Sequence, residues 1–448
     1  MMLVKLKFFL FLIFVNLSFF SNLQSSESLE NVLIDAFNYY PDIKKSKFDL
    51  KASRADVSIS KTDFLPSIDL TLSQGRKISK SNPDTSSYNY TNLNPSSLDL
   101  ELSQPLGATK YLNLKSAKNN FLVSEFKDKS LVQEVLYKAT KNYYNFLKER
   151  FLLDVAIKNE KNLIQKFDAT EKRFSFKDVT KTDVFQAKAR LAEATSKRLE
   201  AENNLEIARS DFKSVVGRDP NVIWYDAKDN KKITGSNPKD WSKFAKMPKL
   251  PNSLDNSLAL ALKNNPELNQ IKLELENSKI NIKKNGLNFL PELSITGTYG
   301  KSLESTRAIN RKETYEITAD FTVPIFNKGH NIYNLNKSRN QASSSSNSLK
   351  TKKINLIHDV KSTWNKIQSL ISSIESLKVS VESNLVALDG VSKEAGVGTR
   401  TTLNILDAEK ELTEAEANLV NAQFNLIDSS YKLLKSCGLL NFNYLEIK

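Results

Sequence analysis

Residues 184–216 read VFQAKARLAEATSKRLEAENNLEIARSDFKSVV, and the architecture turns on this stretch. Val184, Ala187, Leu191, Ala194, Arg198, Ala201, Leu205, Ala208, Phe212 and Val215 recur at alternating steps of three and four, and nine of these ten are apolar. A strict seven-residue repeat keeps one stripe of a helix against a partner and specifies helices that supercoil. Large side chains alternate with alanine along the stripe, which lets neighbouring backbones come close.

The same pattern extends outward in both directions. Between Gly107 and Gly217 lie 109 residues without glycine or proline. Within them Val132, Leu136, Ala139, Tyr143, Phe146, Arg150, Leu153, Ile157, Glu160, Ile164 and Phe167 keep the spacing, apolar at nine of eleven positions. Thr109 to Arg173 as one helix is about 100 Å long, more than a globular core needs. A break falls at Ser175 to Thr180, after which the repeat resumes. Toward the C-terminus another 60 residues, between Gly329 and Gly390, lack both breakers. Ile405, Ala408, Leu412, Ala415, Leu419, Ala422, Leu426, Ser429, Leu433 and Ser436 then repeat the alternation of large with small.

The chain duplicates itself. Ser28 to Gly75 aligns with Ser253 to Gly300 without a gap, with 14 identities in 48 positions, including Pro41/Pro266 and the triplets Phe64-Leu65-Pro66 and Phe289-Leu290-Pro291. Thr180 to Gly217 aligns with Thr401 to Gly438, with nine identities in 38. A unit of this length is too long for a solenoid repeat. The expected organisation is a signal peptide at 1–25, a first repeat at 26–217, a linker at 218–252 that breaks both periodicities, a second repeat at 253–438 and a tail at 439–448.

Each repeat also contains two stretches of period two. Ile68, Leu70 and Leu72 alternate with polar residues, as do Leu98, Leu100 and Leu102; Leu293, Ile295 and Tyr299; and Tyr315, Ile317, Ala319, Phe321 and Val323. These predict four strands of about ten residues, the length that crosses an outer membrane when tilted. The alternative is a half-buried hairpin on a globular core, but long helices leave no such core. Open sheet edges are not tolerated in lipid and the smallest spanning barrels have eight strands, so four strands per chain require partner chains. With apolar residues toward lipid, the lumen receives Asp69, Asp99, Glu101, Glu292, Glu316 and Asp320, and no Lys or Arg at the alternating positions. Cation preference in the barrel follows as an expectation.

Lys5 and Lys7, the apolar run Phe8 to Phe20 and the small polar stretch Ser21 to Ser28 have the layout of a secretory signal peptide. No cysteine follows the run to carry a lipid anchor. Its removal takes the net charge from +14 to +12. The lysines are scattered beside glutamates as on solvated helix faces, and an exported chain has no call for nucleic acid. Attraction to anionic lipid headgroups or lipopolysaccharide is the functional alternative for this excess. One cysteine excludes a disulfide framework, and with His330 and His358 the only histidines, material for catalysis or metal binding is scarce. No phosphate loop, HExxH or nucleophile elbow is present. The chain reads as neither an enzyme nor a cofactor protein. Ser343 to Ser346 and Cys437 read as small packing residues.

The duplicated layout, the two Phe-Leu-Pro strand starts, the strand ends Gln104-Pro105-Leu106 and Val323-Pro324-Ile325-Phe326, and the segment VGTRTTLNILDAEKELTEAEANLVNAQFNL from Val397 resemble the TolC family of outer-membrane efflux channels. The resemblance covers essentially the whole mature chain. It implies an α+β fold in which a trimer forms a twelve-stranded outer-membrane barrel continued by a long helical coiled-coil barrel in the periplasm. It also implies a periplasmic adaptor protein and an inner-membrane pump of RND or ABC type, for efflux of small molecules or type I secretion of proteins.

By the same resemblance the periplasmic gate falls on Thr182, Asp183, Arg400, Asn404 and Asp407. Arg400 matches the gate arginine and Asp183 the aspartate it contacts. Where the family often carries two aspartates one helical turn apart, this chain has Asn404 then Asp407, so a trimer presents three carboxylates rather than six. Ala395 replaces a tyrosine common before the VGTRT segment, and Ser175-Phe176-Lys177-Asp178 lacks the usual glycine. These departures predict a closed state held less tightly, with weaker cation block. The competing reading is an exported coiled-coil spacer or adhesin without a pore, which gives no reason for four lipid-length strands in symmetric places.

Overall fold

The computed structural model describes residues 28–81, 89–220, 247–306 and 309–445. The signal peptide, most of the 218–252 linker and the last three residues of the tail lie outside the described residues. In chain order the elements are α1 (Leu29–Tyr39), α2 (Pro41–Thr62), β1 (Ser67–Gln74), β2 (Lys77–Ser81), β3 (Asn89–Leu93), β4 (Ser96–Leu106), α3 (Ala108–Ser175) and α4 (Lys181–Val216). After the linker come α5 (Leu254–Asn264), α6 (Pro266–Leu287), β5 (Glu292–Thr306), β6 (Ile309–Thr322), α7 (His330–Gly396) and α8 (Thr402–Ser436).

Local chemistry explains why the two halves match. Ser28 caps α1 by accepting from the Asn31 N–H at 3.3 Å, and Ser253 caps α5 by accepting from the Asn256 N–H at 3.1 Å. Pro41 and Pro266 each open the next helix, a position where the missing N–H leaves no bond unmade. α3 and α7, of 68 and 67 residues, run through the stretches free of glycine and proline. Surface charge on the helices is largely local, as in Lys197 with Glu193 at 3.0 Å and Lys393 with Asp389 at 2.6 Å. Such exposed pairs contribute about 0–1 kcal/mol each and mark solvated faces.

The chain divides into two compact units, each drawing on both repeats. The first comprises residues up to Lys44, Leu131–Asn265 and Asn355 onward. Its main core joins Val32, Leu33 and Ala36 of α1 with Leu136, Tyr144 and Leu147 of α3, Phe212 and Val216 of α4, and Val420, Ile427 and Leu434 of α8. Fully burying such side chains stabilises by about 1.5–3 kcal/mol each, so this cluster outweighs the surface ion pairs. A second seam, Ile374 and Val381 of α7 with Leu412, Ala415, Leu419 and Ala422 of α8, follows the large-and-small alternation. Tyr137 donates to Asp428 at 2.9 Å across α3 and α8, and burial together with that carboxylate raises its pKa.

The two repeats close this unit in the same way. Gly217 ends α4 with φ +86°, and a Cβ there would meet the Tyr39 ring at 2.3 Å. Its counterpart Gly438 follows α8 with φ +71°, and a Cβ there would meet the Asn264 carbonyl oxygen at 2.5 Å. Tyr39 and Asn264 are themselves equivalent, each the last residue of its repeat's first helix. Cys437 is fully buried, as its small-residue reading required, with burial pushing the thiol up to about 12.

The second unit, Lys45–Ser130 with Pro266–Ile354, holds the sheet. Four antiparallel strands run in the order β1-β4-β5-β6, with β1 and β6 at the edges. The four strands expected from the alternation are all present, but β5 and β6 are longer than expected, at 15 and 14 residues. Between β1 and β4, where only a polar loop was expected, β2 and β3 form a further hairpin. In the serine run of α7, Ser345 meets Ser278 of α6 at 3.0 Å.

Candidate gate and barrel residues

The sheet has one apolar and one polar face, and the register fixes which residues share each. Ile68 opposes Leu102, Leu70 opposes Leu100 and Leu72 opposes Leu98; Leu293 opposes Phe321 and Tyr299 opposes Tyr315. This face is exposed in the protomer: Ile68, Leu72, Ile317 and Phe321 are 65%, 68%, 85% and 68% accessible. Exposed apolar area of this extent marks an interaction surface, here of the kind lipid covers. Among the described residues no helix is long and apolar enough to cross a membrane.

All six carboxylates expected in the lumen lie on the other face. Asp69 stands directly opposite Glu101, and the same row continues through Thr298 to Glu316. Asp99 pairs with Thr71 and Gly300, Asp320 with Ser294, and Glu292 with Thr322. Like charges directly opposite destabilise a sheet pair. The longer β6 also places Lys312 on this face, opposite Ser302, a cation that the shorter expected strand did not include.

At the C-terminal ends of α3 and α7, each repeat makes one turn into the helix that follows. Lys177 has φ 60° and its counterpart Gly398 φ 83°, so both turns use a left-handed residue, and the first does so without glycine. Each turn is closed by an ion pair of opposite polarity: Arg173 Nε to Asp178 Oδ2 at 2.6 Å in the first, Arg400 Nε to Glu394 Oε2 at 2.8 Å in the second. Arg173 and Glu394 occupy equivalent positions.

The following helices begin with matching capping boxes. Thr180 accepts from the Asp183 N–H at 3.3 Å while Asp183 Oδ2 accepts from the Thr180 N–H at 2.8 Å. Thr401 and Asn404 do the same at 3.4 and 3.1 Å. Asp183 and Asn404 are therefore the same position of two repeats, and either side chain supplies the oxygen this position needs. Thr182 lies in the first turn of α4. The Asp183 to Arg400 contact implied by the resemblance does not occur among the described contacts of the single chain. Asp183 is occupied at its helix end, and Arg400 reaches Glu394 within its own turn, which orders less chain.

Asp407 has a partner that the sequence did not reveal. Arg190 Nη2 of α4 lies 2.9 Å from Asp407 Oδ1 of α8, and Arg190 Nη1 lies 3.4 Å from Glu193. Beneath this pair Leu163, Ala187, Ala194 and Leu406 form a small apolar cluster from α3, α4 and α8. Arg190 flanks the heptad stripe instead of sitting in it, and no spacing rule connects positions 217 residues apart. Two residues further along α8, Glu409 is 6% accessible with Oε2 unpartnered, and burial raises its pKa despite Lys166 nearby.

A sheet with a lipid-type face and a carboxylate-lined face, joined in one chain to paired heptad helices, defines an outer-membrane channel protein rather than an enzyme. The sequence profile described as outer membrane efflux protein matches residues 33–218 and 258–439, and the chain belongs to that family. It is 25% identical to the outer membrane protein TolC of Escherichia coli K12 over 418 residues, covering 90% of this chain and 80% of that one. It is 22% identical to the alkaline protease secretion protein AprF of Pseudomonas aeruginosa over 316 residues, covering 70% of this chain and 63% of AprF. The fold matches that of the Campylobacter jejuni CmeC outer membrane channel with a TM-score of 0.78 at 16% identity, over 92% of this chain and 85% of CmeC. The protein is an outer-membrane efflux channel of the α+β class.

Proposed function

We propose that three copies assemble into a twelve-stranded barrel in the outer membrane, with the paired helices of both repeats forming a tunnel in the periplasm. The observation that carries this reading is the sheet: four strands with free edges at β1 and β6 and one exposed apolar face. Neither edge can face lipid unpaired, and pairing β6 of one copy with β1 of the next satisfies both. The tunnel is an exit duct whose cargo, small molecules or secreted protein, is delivered by an inner-membrane pump of RND or ABC type through a periplasmic adaptor. AprF, a secretion protein by name, and the efflux description of the family to which this chain belongs support a duct serving either kind of cargo.

The gate lies at the two helix turns. Thr182, Asp183, Arg400, Asn404 and Asp407 surround it, and Arg190 joins them as the cation that neutralises Asp407. The row Asp69, Glu101 and Glu316, with Asp99, Glu292 and Asp320, makes the barrel prefer cations. The 26–217 and 253–438 repeats are duplicated halves joined by the 218–252 segment.

Native mass of the detergent-extracted protein, with planar-bilayer conductance of the same sample, tests the reading. A trimer with low, cation-preferring conductance is expected. A water-soluble species without conductance would overturn it in favour of a coiled-coil spacer, and a reversal potential indicating anion preference would overturn the role given to the carboxylates.

A further inference from the structure

The charge pattern reverses at the hairpin end of the sheet. On the apolar face, from the row of Leu106, Leu293 and Phe321 to the row of Leu100, Tyr299 and Tyr315, no paired position carries a charged side chain. Tyr299 and Tyr315 lie with ring centroids 4.9 Å apart. The next row on the same face holds Leu98, Lys301 and Glu313, and the one beyond it Ser96, Leu303 and Arg311. Arg311 donates to Glu313, its Nε 3.1 Å from Oε1, so two cations flank a single carboxylate. Arg76, Lys77 and Lys80 stand exposed on and beside the β2–β3 hairpin. Over residues 75–81, 89–95, 300–306 and 309–313, and leaving aside Lys312 of the opposite face, five basic residues stand against two acidic ones, Glu304 and Glu313.

The spacing along the strand gives this cluster a level. Leu293 to Lys301 is eight residues, about 27 Å of strand. At a tilt near 40° that is about 20 Å along the membrane normal, close to the height of the apolar band of an outer-membrane barrel, with aromatic residues at its rim. Lys301 and Arg311 therefore stand just past the rim, on the side turned toward lipid and away from the carboxylate-lined face. A departing anionic cargo would meet that other face. Arg311 is exposed and Lys301 half-buried on this sheet face, an arrangement that suits phosphates displayed side by side on a membrane surface.

We propose that this collar binds the phosphate groups of anionic glycolipid headgroups in the outer leaflet, with Lys301 and Arg311 contacting phosphate and Tyr299 with Tyr315 seated at the hydrocarbon boundary. The inference rests on the barrel reading above, with the helices on the periplasmic side.

The test uses the full-length protein in detergent, mixed with diphosphorylated lipid A or its dephosphorylated form and examined by native mass spectrometry, with bilayer conductance of the same sample. Diphosphorylated lipid should be retained on the wild type, with at least a fivefold loss for the dephosphorylated form and for the Lys301→Gln/Arg311→Gln double variant. Lys312→Gln, on the opposite face, should retain lipid as the wild type does. A conducting protein that holds both lipids equally, or whose double variant holds diphosphorylated lipid as well as the wild type, would overturn this inference alone. Loss in Lys312→Gln equal to that of the double variant would overturn the facial assignment and the inference with it. A sample that does not conduct would overturn the barrel on which both depend.

Discussion

Arg190 of α4 and Asp407 of α8 form a 2.9 Å ion pair within the first three turns of the two helices that follow the inter-helix turns. In the proposed gate Asp407 is the one acidic member of the Asn404 and Asp407 pair, and its charge is balanced while the two helices stay together. Replacing Arg190 by Gln should release one carboxylate per protomer. We expect the divalent-cation concentration that blocks conductance from the periplasmic side to fall roughly tenfold, equivalent to about 1.4 kcal/mol. Asp407→Asn in the same background should abolish the gain. Unchanged block in Arg190→Gln would mean that the pair does not set the charge of the constriction.

Asn404→Asp separates charge from capping. The new carboxylate can accept from the Thr401 N–H as Asp183 does from Thr180. Thermal stability should stay within about 0.5 kcal/mol of the wild type, a small part of the value of a cap, while divalent block strengthens. Equal block in the two proteins would remove Asn404 from the constriction.

Lys177 holds a left-handed conformation that its counterpart Gly398 adopts without strain. Lys177→Gly should therefore stabilise the protein by about 1 kcal/mol, and Gly398→Ala should destabilise it by a similar amount. Thermal unfolding of the two variants in one detergent checks the pair, and a destabilising Lys177→Gly would count against it.

Glu409 gives a pH dependence whose direction follows from its burial. Its carboxyl is raised above the ordinary value of 4.5, so the folded state disfavours the charged form. Below the unfolded value both states are protonated and nothing is lost; the penalty develops as the pH rises and is complete above the folded value. Glu409→Gln should raise the unfolding temperature by a few degrees near pH 8 and leave it unchanged near pH 4. The same gain at both pH values would show that the ionised carboxylate is not the cause.

The two repeat-closing glycines should differ in how they can be rescued. Gly217→Ala meets a side chain, the Tyr39 ring, whereas Gly438→Ala meets the backbone oxygen of Asn264. Both should lower stability by about 1–3 kcal/mol from overpacking alone, with a left-handed penalty added. Tyr39→Ala should recover part of the loss at Gly217 and none at Gly438. Recovery at both, or at neither, would contradict the asymmetry.

Most of the fold was legible because its signals are periodic. The stripe from Val184 to Val215 and the alternations at Ile68 and Tyr315 repeat often enough to name their elements, and the α3 boundaries differ from the expected ones by a residue or two. The β2–β3 hairpin was not legible: Lys77–Ser81 and Asn89–Leu93 are short and polar and show no apolar face. The residues expected for the gate lie on or just after the two turns, but their partners could not be read from the sequence. Arg400 to Glu394 and Arg190 to Asp407 depend on where charged side chains meet in space, which heptad spacing leaves open. Glu394 could have been noticed as the charge-reversed counterpart of Arg173.

The core of the first unit sets an order of events during export. Val32 and Leu33 of α1 are buried with Leu434 and Leu440, and Phe37 meets Phe442 edge to face with ring centroids 5.2 Å apart. A polypeptide threaded across the inner membrane from its N-terminus delivers one half of each contact some four hundred residues before the other. Until the last helix emerges, α1 has only α3 and α4 beside it and the part of this core that Val420, Ile427 and Leu434 complete stays open, and exposed surface of this kind favours aggregation. The protein is thus obliged to spend its transit incomplete, and a C-terminal truncation harms first the residues that were made first.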